Sequence, residues 1–286
     1  MSSEPIFRFA PSPNGHLHLG HAYSALFTWR AAEAMGGIAL LRIEDIDTTR
    51  CKPEFARDLM EDLRWLGLDW PEPVMVQSER IPVYSEAASR LRERGLIYPC
   101  FCSRSQMAAS TGPDGGQFYG GACRHLSPDE RRRRIAAGEP HAWRIAMDRA
   151  LDETGPLGWR ELDIETGALT ETRARPERWG DTVIVRKDAP ASYHLSVVID
   201  DADQGITNVA RGRDMEASTD VHAVLQAQLG LPQPIYTFHP LILDSEGRKL
   251  GKSRGSSSLR DLRNDGWSPE DVRRELGFGP AERRAR

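Results

Sequence analysis

Residues 6–21 read Ile6-Phe7-Arg8-Phe9-Ala10-Pro11-Ser12-Pro13-Asn14-Gly15-His16-Leu17-His18-Leu19-Gly20-His21. The first five are an apolar run of strand length, Pro11 to Gly15 is a turn, and Leu19, Tyr23, Leu26 and Phe27 recur at helical spacing. A strand that passes through a tight turn into a helix N-terminus is the opening unit of an alternating α/β sheet. The unsatisfied N–H groups at such a helix end attract anions. Outward from there the alternation continues. Residues 38–43 read as a second buried strand. Pro53 reads as the first residue of a helix with Phe55, Leu59, Leu63 and Leu66 on one face and Gly67 as its stop. Residues 74–76 read as a third strand, and Tyr84, Ala88 and Leu91 mark a helix ended by Gly95. Strands separated by helices predict βαβ units and a doubly wound parallel sheet, which takes its ligands at the carboxyl ends of the strands.

The pattern breaks after Tyr98. Residues 98–180 carry turns, short polar strands and the run Arg131-Arg132-Arg133-Arg134, and read as an insertion. Alternation resumes with apolar strand-like runs at 183–186, 195–199 and 206–210. A helix follows around Val221, Val224, Leu225 and Leu229, then a strand at 235–243 that delivers Lys249-Leu250-Gly251-Lys252-Ser253. The expected organisation is a first half of the catalytic core at 1–97 and an insertion at 98–180, with a cysteine module at 100–123. A second half of the core follows at 181–253, then a C-terminal part at 254–286, long enough for about two short helices.

Composition narrows the class. The 286 residues are 39% hydrophobic and 28% charged, with a net charge of −4, ordinary for a globular protein and against a generic polyanion binder. No apolar stretch reaches about 20 residues, so no membrane span is expected. Met1-Ser2-Ser3-Glu4-Pro5 has no basic start followed by an apolar run, so no secretory signal is expected. Four cysteines, three of them clustered, do not make a disulfide framework in a chain this long, and a reducing cytoplasm is the expected location.

Two short motifs carry chemistry. His18 and His21, with Gly20 between them, can donate to phosphate oxygens where the first strand gives way to a helix. Lys249 and Lys252, followed by Ser253, can neutralise charge on the other phosphates. Only four lysines stand against 34 arginines, and two of the four fall in that five-residue loop. A compact point charge is retained there in place of a planar fork. Together the motifs predict ATP held from two sides, with Mg²⁺ accompanying the nucleotide.

With these pieces placed, the chain resembles a class I aminoacyl-tRNA synthetase of the glutamyl branch. The stretch from Arg8 to His21 is similar to that branch's first signature. Arg42-Ile43-Glu44-Asp45-Ile46-Asp47, Leu66-Gly67-Leu68-Asp69-Trp70 and Gln77-Ser78-Glu79-Arg80 resemble its following blocks. Ile199-Asp200-Asp201 and Val209-Ala210-Arg211-Gly212-Arg213-Asp214 resemble its late block, and the lysine loop stands where the class keeps its second signature. The loop departs from the usual pattern at the spacers Leu250 and Gly251, and keeps both lysines and the serine. The resemblance implies a Rossmann-like catalytic core and activation of L-glutamate by ATP. It assigns Arg8 and Arg211 to the substrate carboxylate, Glu44 to the α-ammonium, and Tyr193 to closing the pocket, with Phe9, Ala10, Pro11 and Ser12 lining it. The chemistry agrees. Amino-acid activation needs no protein nucleophile, only an in-line carboxylate and neutralised charge, and forks of N–H donors suit a carboxylate.

The cysteines allow a separate inference. Cys100-Phe101-Cys102 and Tyr119-Gly120-Gly121-Ala122-Cys123 offer three thiolates and a phenol, and three thiolates favour a structural zinc that needs a fourth ligand. On chemistry alone His125 competes with Tyr119. The resemblance points to Tyr119, because short glutamyl-synthetase-like proteins carry this arrangement. Cys51 stands apart as an ordinary thiol.

Length separates members of the branch. Full-length glutamyl enzymes carry an anticodon-binding region after the lysine loop, and none is expected here. The chain is thereby similar to the truncated paralogues of the branch, which activate glutamate without tRNA and attach it to the queuosine base of tRNA(Asp). No obligate protein partner is expected. Two other readings share the same residues: a compact synthetase charging a tRNA acceptor end, and a regulatory paralogue that is not a ligase. Four consecutive arginines point all around a helix, so most of that run is expected to be simply solvated.

Overall fold

The computed structural model describes residues 4–103, 106, 111–116, 118–242 and 257–279. The chain divides into two compact units, one of Met1–Ser78, Ile206–Arg213 and Thr237–Arg286, the other of Glu79–Gly205 and Asp214–Tyr236.

The first unit opens on β1 (Ile6–Phe9), α1 (Leu19–Ala34) and β2 (Ile38–Ile43), with β1 and β2 parallel from Ile6↔Ile38 to Phe9↔Leu41. Next come α2 (Pro53–Trp65) and β3 (Met75–Val76), which pairs with β2 in parallel at Arg42↔Met75 and Ile43↔Val76. Proline at the start of α2 loses no helix bond, because the first N–H groups have no partner inside the helix. Gly37, between α1 and β2, has a packing role: a Cβ there would stand 2.1 Å from the Pro5 carbonyl oxygen.

The second unit begins with α3 (Ile81–Glu93) and β4 (Ile97–Cys100). After α4 (Pro128–Ala136), β5 (Ala142–Ile145) pairs antiparallel with β4. Then come α5 (Met147–Thr154), a hairpin of β6 (Gly158–Leu162) and β7 (Leu169–Arg173), and β8 (Val183–Val185) on the other edge of β5. Ser127 caps α4 by accepting from the Glu130 N–H at 3.2 Å. The arginine run spends its charge locally: Arg132 pairs with Asp129, Arg133 with Glu130 and Arg134 with Glu139.

The strand-like run at 195–199 is helical. It lies inside α6 (Tyr193–Asp203), whose N-cap Ser192 accepts from the Leu195 N–H. Every residue from Leu195 to Asp201 is buried, so no polar face breaks the apolar run and its β-branched residues imitate a buried strand. β9 (Asn208–Gly212) returns to the first unit beside β1, where the Thr207 N–H donates to the Ile6 carbonyl at 3.0 Å. After α7 (Ser218–Leu229), β10 (Ile235–His239) neighbours β9 and stops before Pro240, which has no N–H to give a ladder. The helices α8 (Leu259–Asn264) and α9 (Pro269–Glu275) bury Leu259, Leu262 and Val272 in one core with Leu17, Leu26, Leu41, Leu59 and Leu63. Among the described residues no helix is long and apolar enough to cross a membrane.

Candidate active site

The histidine turn caps α1. His18 is its N-cap: the His18 Nδ1 accepts from the Gly20 N–H at 3.0 Å, and the His21 Nδ1 accepts from the His18 N–H at 3.2 Å. This is the reciprocal arrangement usually made by a hydroxyl and a carboxylate. An imidazole that accepts at Nδ1 carries its proton on Nε2, so each neutral ring presents an Nε2–H donor. The ring centroids are 3.9 Å apart, and the first turn of the helix holds no acidic residue. Two N–H donors therefore stand at the positive end of a 16-residue helix, an end whose charge suits an anion.

Lys249, Lys252 and Ser253 lie outside the described residues. The chain on either side of that segment meets α1. Before it, His239 Nε2 is 3.0 Å from Ser24 Oγ, and the ring packs against Tyr23 and Phe27. After it, Ser258 bridges to His18 and the Leu259 N–H donates to the Leu17 carbonyl at 2.7 Å.

The residues assigned to glutamate divide between the units. In the first, Arg8 on β1, Glu44 just past β2 and Arg211 on β9 are all buried. The start of β9 is tied to the start of β1 through Thr207 and Ile6, so both arginines lie further along their strands. Arg42, which is fully buried, donates to Glu44 Oε1 at 3.2 Å and supplies a counter-charge in a dry setting. The Glu44 N–H donates to the Pro11 carbonyl at 3.1 Å, which ties the turn after β1 to the end of β2. Phe9 turns into the core against Trp29, Ala10 is half-buried and Ser12 is exposed. In the second unit, Tyr193 opens α6 with its ring about 5.5 Å from those of His194 and His222, which meet at Nδ1···Nε2 3.3 Å.

Two sequence blocks with no assigned role meet in a buried hub. Arg80 Nε donates to Asp200 Oδ1 at 2.8 Å, the Tyr84 hydroxyl reaches both Asp200 oxygens at 2.9 Å, and Arg80 also pairs with Asp203. Burial and the Asp200 carboxylate hold the Tyr84 hydroxyl protonated well above its ordinary range. Replacing Arg80 by leucine would take the paired cation from a fully buried carboxylate, and a loss of about 3 kcal/mol in urea unfolding is expected. Only proximity in space reveals this hub, since Arg80 and Asp200 are 120 residues apart. In the first unit, Asp45 accepts from the Ser78 N–H at 2.8 Å and from its hydroxyl at 2.7 Å.

In the cysteine module the sulfurs of Cys100, Cys102 and Cys123 all lie within 4.8 Å of one another, with Cys102 and Cys123 3.5 Å apart. A tetrahedral zinc with Zn–S bonds of about 2.3 Å holds its sulfurs about 3.8 Å apart, so the donor set fits that ion. The Tyr119 hydroxyl accepts from the Cys123 N–H at 2.7 Å, whereas His125 is exposed. Burial opposes ionisation of Cys100, yet hydrogen bonds from Tyr119 and the Cys102 N–H, with Arg144 nearby, bring its thiol below the ordinary value. Burial and the neighbouring sulfurs push Cys102 up to about 11. Arg144 lies over the Tyr119 ring at 3.9 Å. Buried Asp181 braces the module by accepting from Tyr98, Arg124 and the Met147 N–H, while its carbonyl takes Arg144.

The family described as tRNA synthetases class I (E and Q), catalytic domain, matches residues 6–283. A glutamyl-Q tRNA(Asp) synthetase of Rhodobacter capsulatus is 46% identical over 96% of this chain and 100% of its own length. One from Symbiobacterium thermophilum is 42% identical over 95% of this chain and 85% of its own. A crystal structure of a glutamate tRNA ligase from Elizabethkingia meningosepticum, in complex with its amino acid, matches 93% of this chain at TM-score 0.68 and 27% identity. The chain spans 54% of that ligase. The histidine-capped helix, the parallel sheet that carries it and these likenesses agree: the chain belongs to the class I aminoacyl-tRNA synthetases of the glutamyl and glutaminyl branch, a family of ligases.

Proposed function

We propose that this chain activates L-glutamate with ATP, without tRNA, and transfers the glutamyl group to the queuosine base of tRNA(Asp). The observation that carries this reading is the likeness, from end to end, to a relative of that name in Rhodobacter capsulatus. The buried charges support the first half. Arg8 and Arg211 offer forked donors to the side-chain carboxylate of glutamate and Glu44 receives the α-ammonium, with Ala10 and Ser12 beside them; the resemblance adds the Tyr193 hydroxyl as a further contact to the substrate. One α-carboxylate oxygen then attacks the α-phosphorus in line, and the bond to pyrophosphate breaks. His18 and His21 donate to the phosphates, Lys249 and Lys252 offset the growing charge with Ser253 beside them, and Mg²⁺ arrives with the nucleotide. The chain's own contribution is position and charge. Cys100, Cys102, Cys123 and Tyr119 would hold one structural Zn²⁺ within the insertion read at residues 98–180.

Digestion of tRNA charged with labelled glutamate tests the transfer. The label is expected on the anticodon-loop fragment of tRNA(Asp), and none is expected on tRNA from cells unable to make queuosine. Label on the acceptor end, or on queuosine-free tRNA, would refute the assignment. Exchange of pyrophosphate into ATP with no stable transfer to any tRNA would favour the regulatory reading.

A further inference from the structure

A group of charges outside the proposed pocket converges beside the histidine turn. Asp58 and Asp62 lie one turn apart on α2, Arg260 and Arg263 lie three residues apart on α8, and His16 precedes His18 by two. Arg260 Nη1 donates to Asp58 Oδ2 at 2.8 Å, and His16 Nδ1 lies 3.5 Å from the same oxygen. Asp62 is buried, and burial pushes its carboxyl up to about 6 against the pull of Arg263, His16 and Arg260. Directly alongside, Ser258 bridges to His18 and the Leu259 N–H reaches the Leu17 carbonyl.

We infer that the Asp58–Arg260 pair, with His16 against it, is a positioning device for the nucleotide site. Three facts lead there. The helix α8 has six residues, too few to hold its shape alone, so its place depends on docking. Its docking surface comprises Leu259 and Leu262 in the core and these charges above it. The first residue it fixes, through Ser258, is His18, whose ring orientation sets the Nε2–H donor. Where reacting groups are held by positioning, a displacement of about 1 Å can cost roughly a hundredfold in rate. Among the described residues the pair reaches the site through the turn, by way of His16 on one side and Ser258 on the other. The inference rests on the nucleotide-site reading above.

The test measures pyrophosphate exchange and calorimetric ATP binding on the full chain. Arg260→Glu sets two carboxylates face to face beside Asp62. The KM and Kd for ATP are expected to rise roughly tenfold with the KM for glutamate within about twofold, and Asp58→Arg in the same chain is expected to restore both. Arg260→Gln is read the same way, with a rise of roughly threefold, should the reversal prevent folding. Unchanged ATP affinity in both variants, equal rises for the two substrates, or no recovery in the double reversal would each overturn the inference. If the unaltered chain neither bound ATP nor exchanged pyrophosphate, the failure would belong to the proposed function instead.

Discussion

Replacing His18 by asparagine is expected to leave the chain folded and to remove most of its glutamate-dependent ATP–pyrophosphate exchange. The two duties of His18 sit on opposite nitrogens. Nδ1 accepts from the Gly20 N–H and caps α1, while Nε2 carries the ring's N–H, the donor in the proposed function. Asparagine is among the best N-caps and can replace the first duty, but its short amide does not reach where Nε2 stands. Loss of one preorganised donor to developing charge costs about 10²–10³ in kcat, and that is the expected fall. Alanine at the same position would lose the cap as well, with about 1 kcal/mol of stability. The contrast separates catalysis from folding: both variants lose exchange, and only His18→Ala loses Tm. His21→Gln extends the argument, because glutamine in the third position of the helix restores the reciprocal cap bond and again lacks the imidazole donor. Full exchange by His18→Asn would reduce the histidine turn to a helix cap.

That duality shows what a sequence exposes and what it hides. The strand, turn and helix of residues 6–34 were legible because each announces itself locally: an apolar run, a Pro/Gly turn, then apolar residues at helical spacing. The α2 boundaries were legible for the same reason, with Pro53 at one end and Gly67 just past the other. The helix α6 was not, since a segment buried on all sides has no period to read and Val197, Val198 and Ile199 favour strands when taken alone. The site divides along the same line. Histidines three apart suggested phosphate donors, but only the hydrogen bonds from the Gly20 and His18 N–H groups fix which ring nitrogen carries the proton. Arg42 passed as one letter of a signature block, although its fully buried guanidinium is the counter-charge paired with Glu44. The hub of Arg80, Tyr84 and Asp200 could not be read at all. A pair that distant in sequence leaves no spacing to notice, and each member alone resembles a surface charge. Lys249 and Lys252 still rest on sequence and charge chemistry alone.

Metal removal should have the other large effect, and it should be local. Among the described residues the core of the cysteine module comprises Tyr98, Cys100, Phe101, Tyr119 and Cys123, with Cys102, Leu126 and Ala146 packed around it. A core of that size is the usual condition under which a small module relies on a metal to offset conformational entropy. A structural zinc contributes about 10–16 kcal/mol where folding and binding are coupled, more than any single contact in this chain. One zinc per chain is expected by elemental analysis. Cys100→Ser or Cys123→Ser should bring the content below about one tenth, because each takes one of the three thiolates from the proposed set. Amide protection should then vanish at residues 100–103 and 118–126 and persist in α1 and β2, whose core is built from other residues. The fourth ligand separates cleanly: Tyr119→Phe should weaken zinc retention roughly 10–100-fold against a chelator, whereas His125→Ala, at an exposed position, should leave it unchanged. Zinc content unaltered in Cys123→Ser, or retention that falls with His125 and not with Tyr119, would overturn this ligand set.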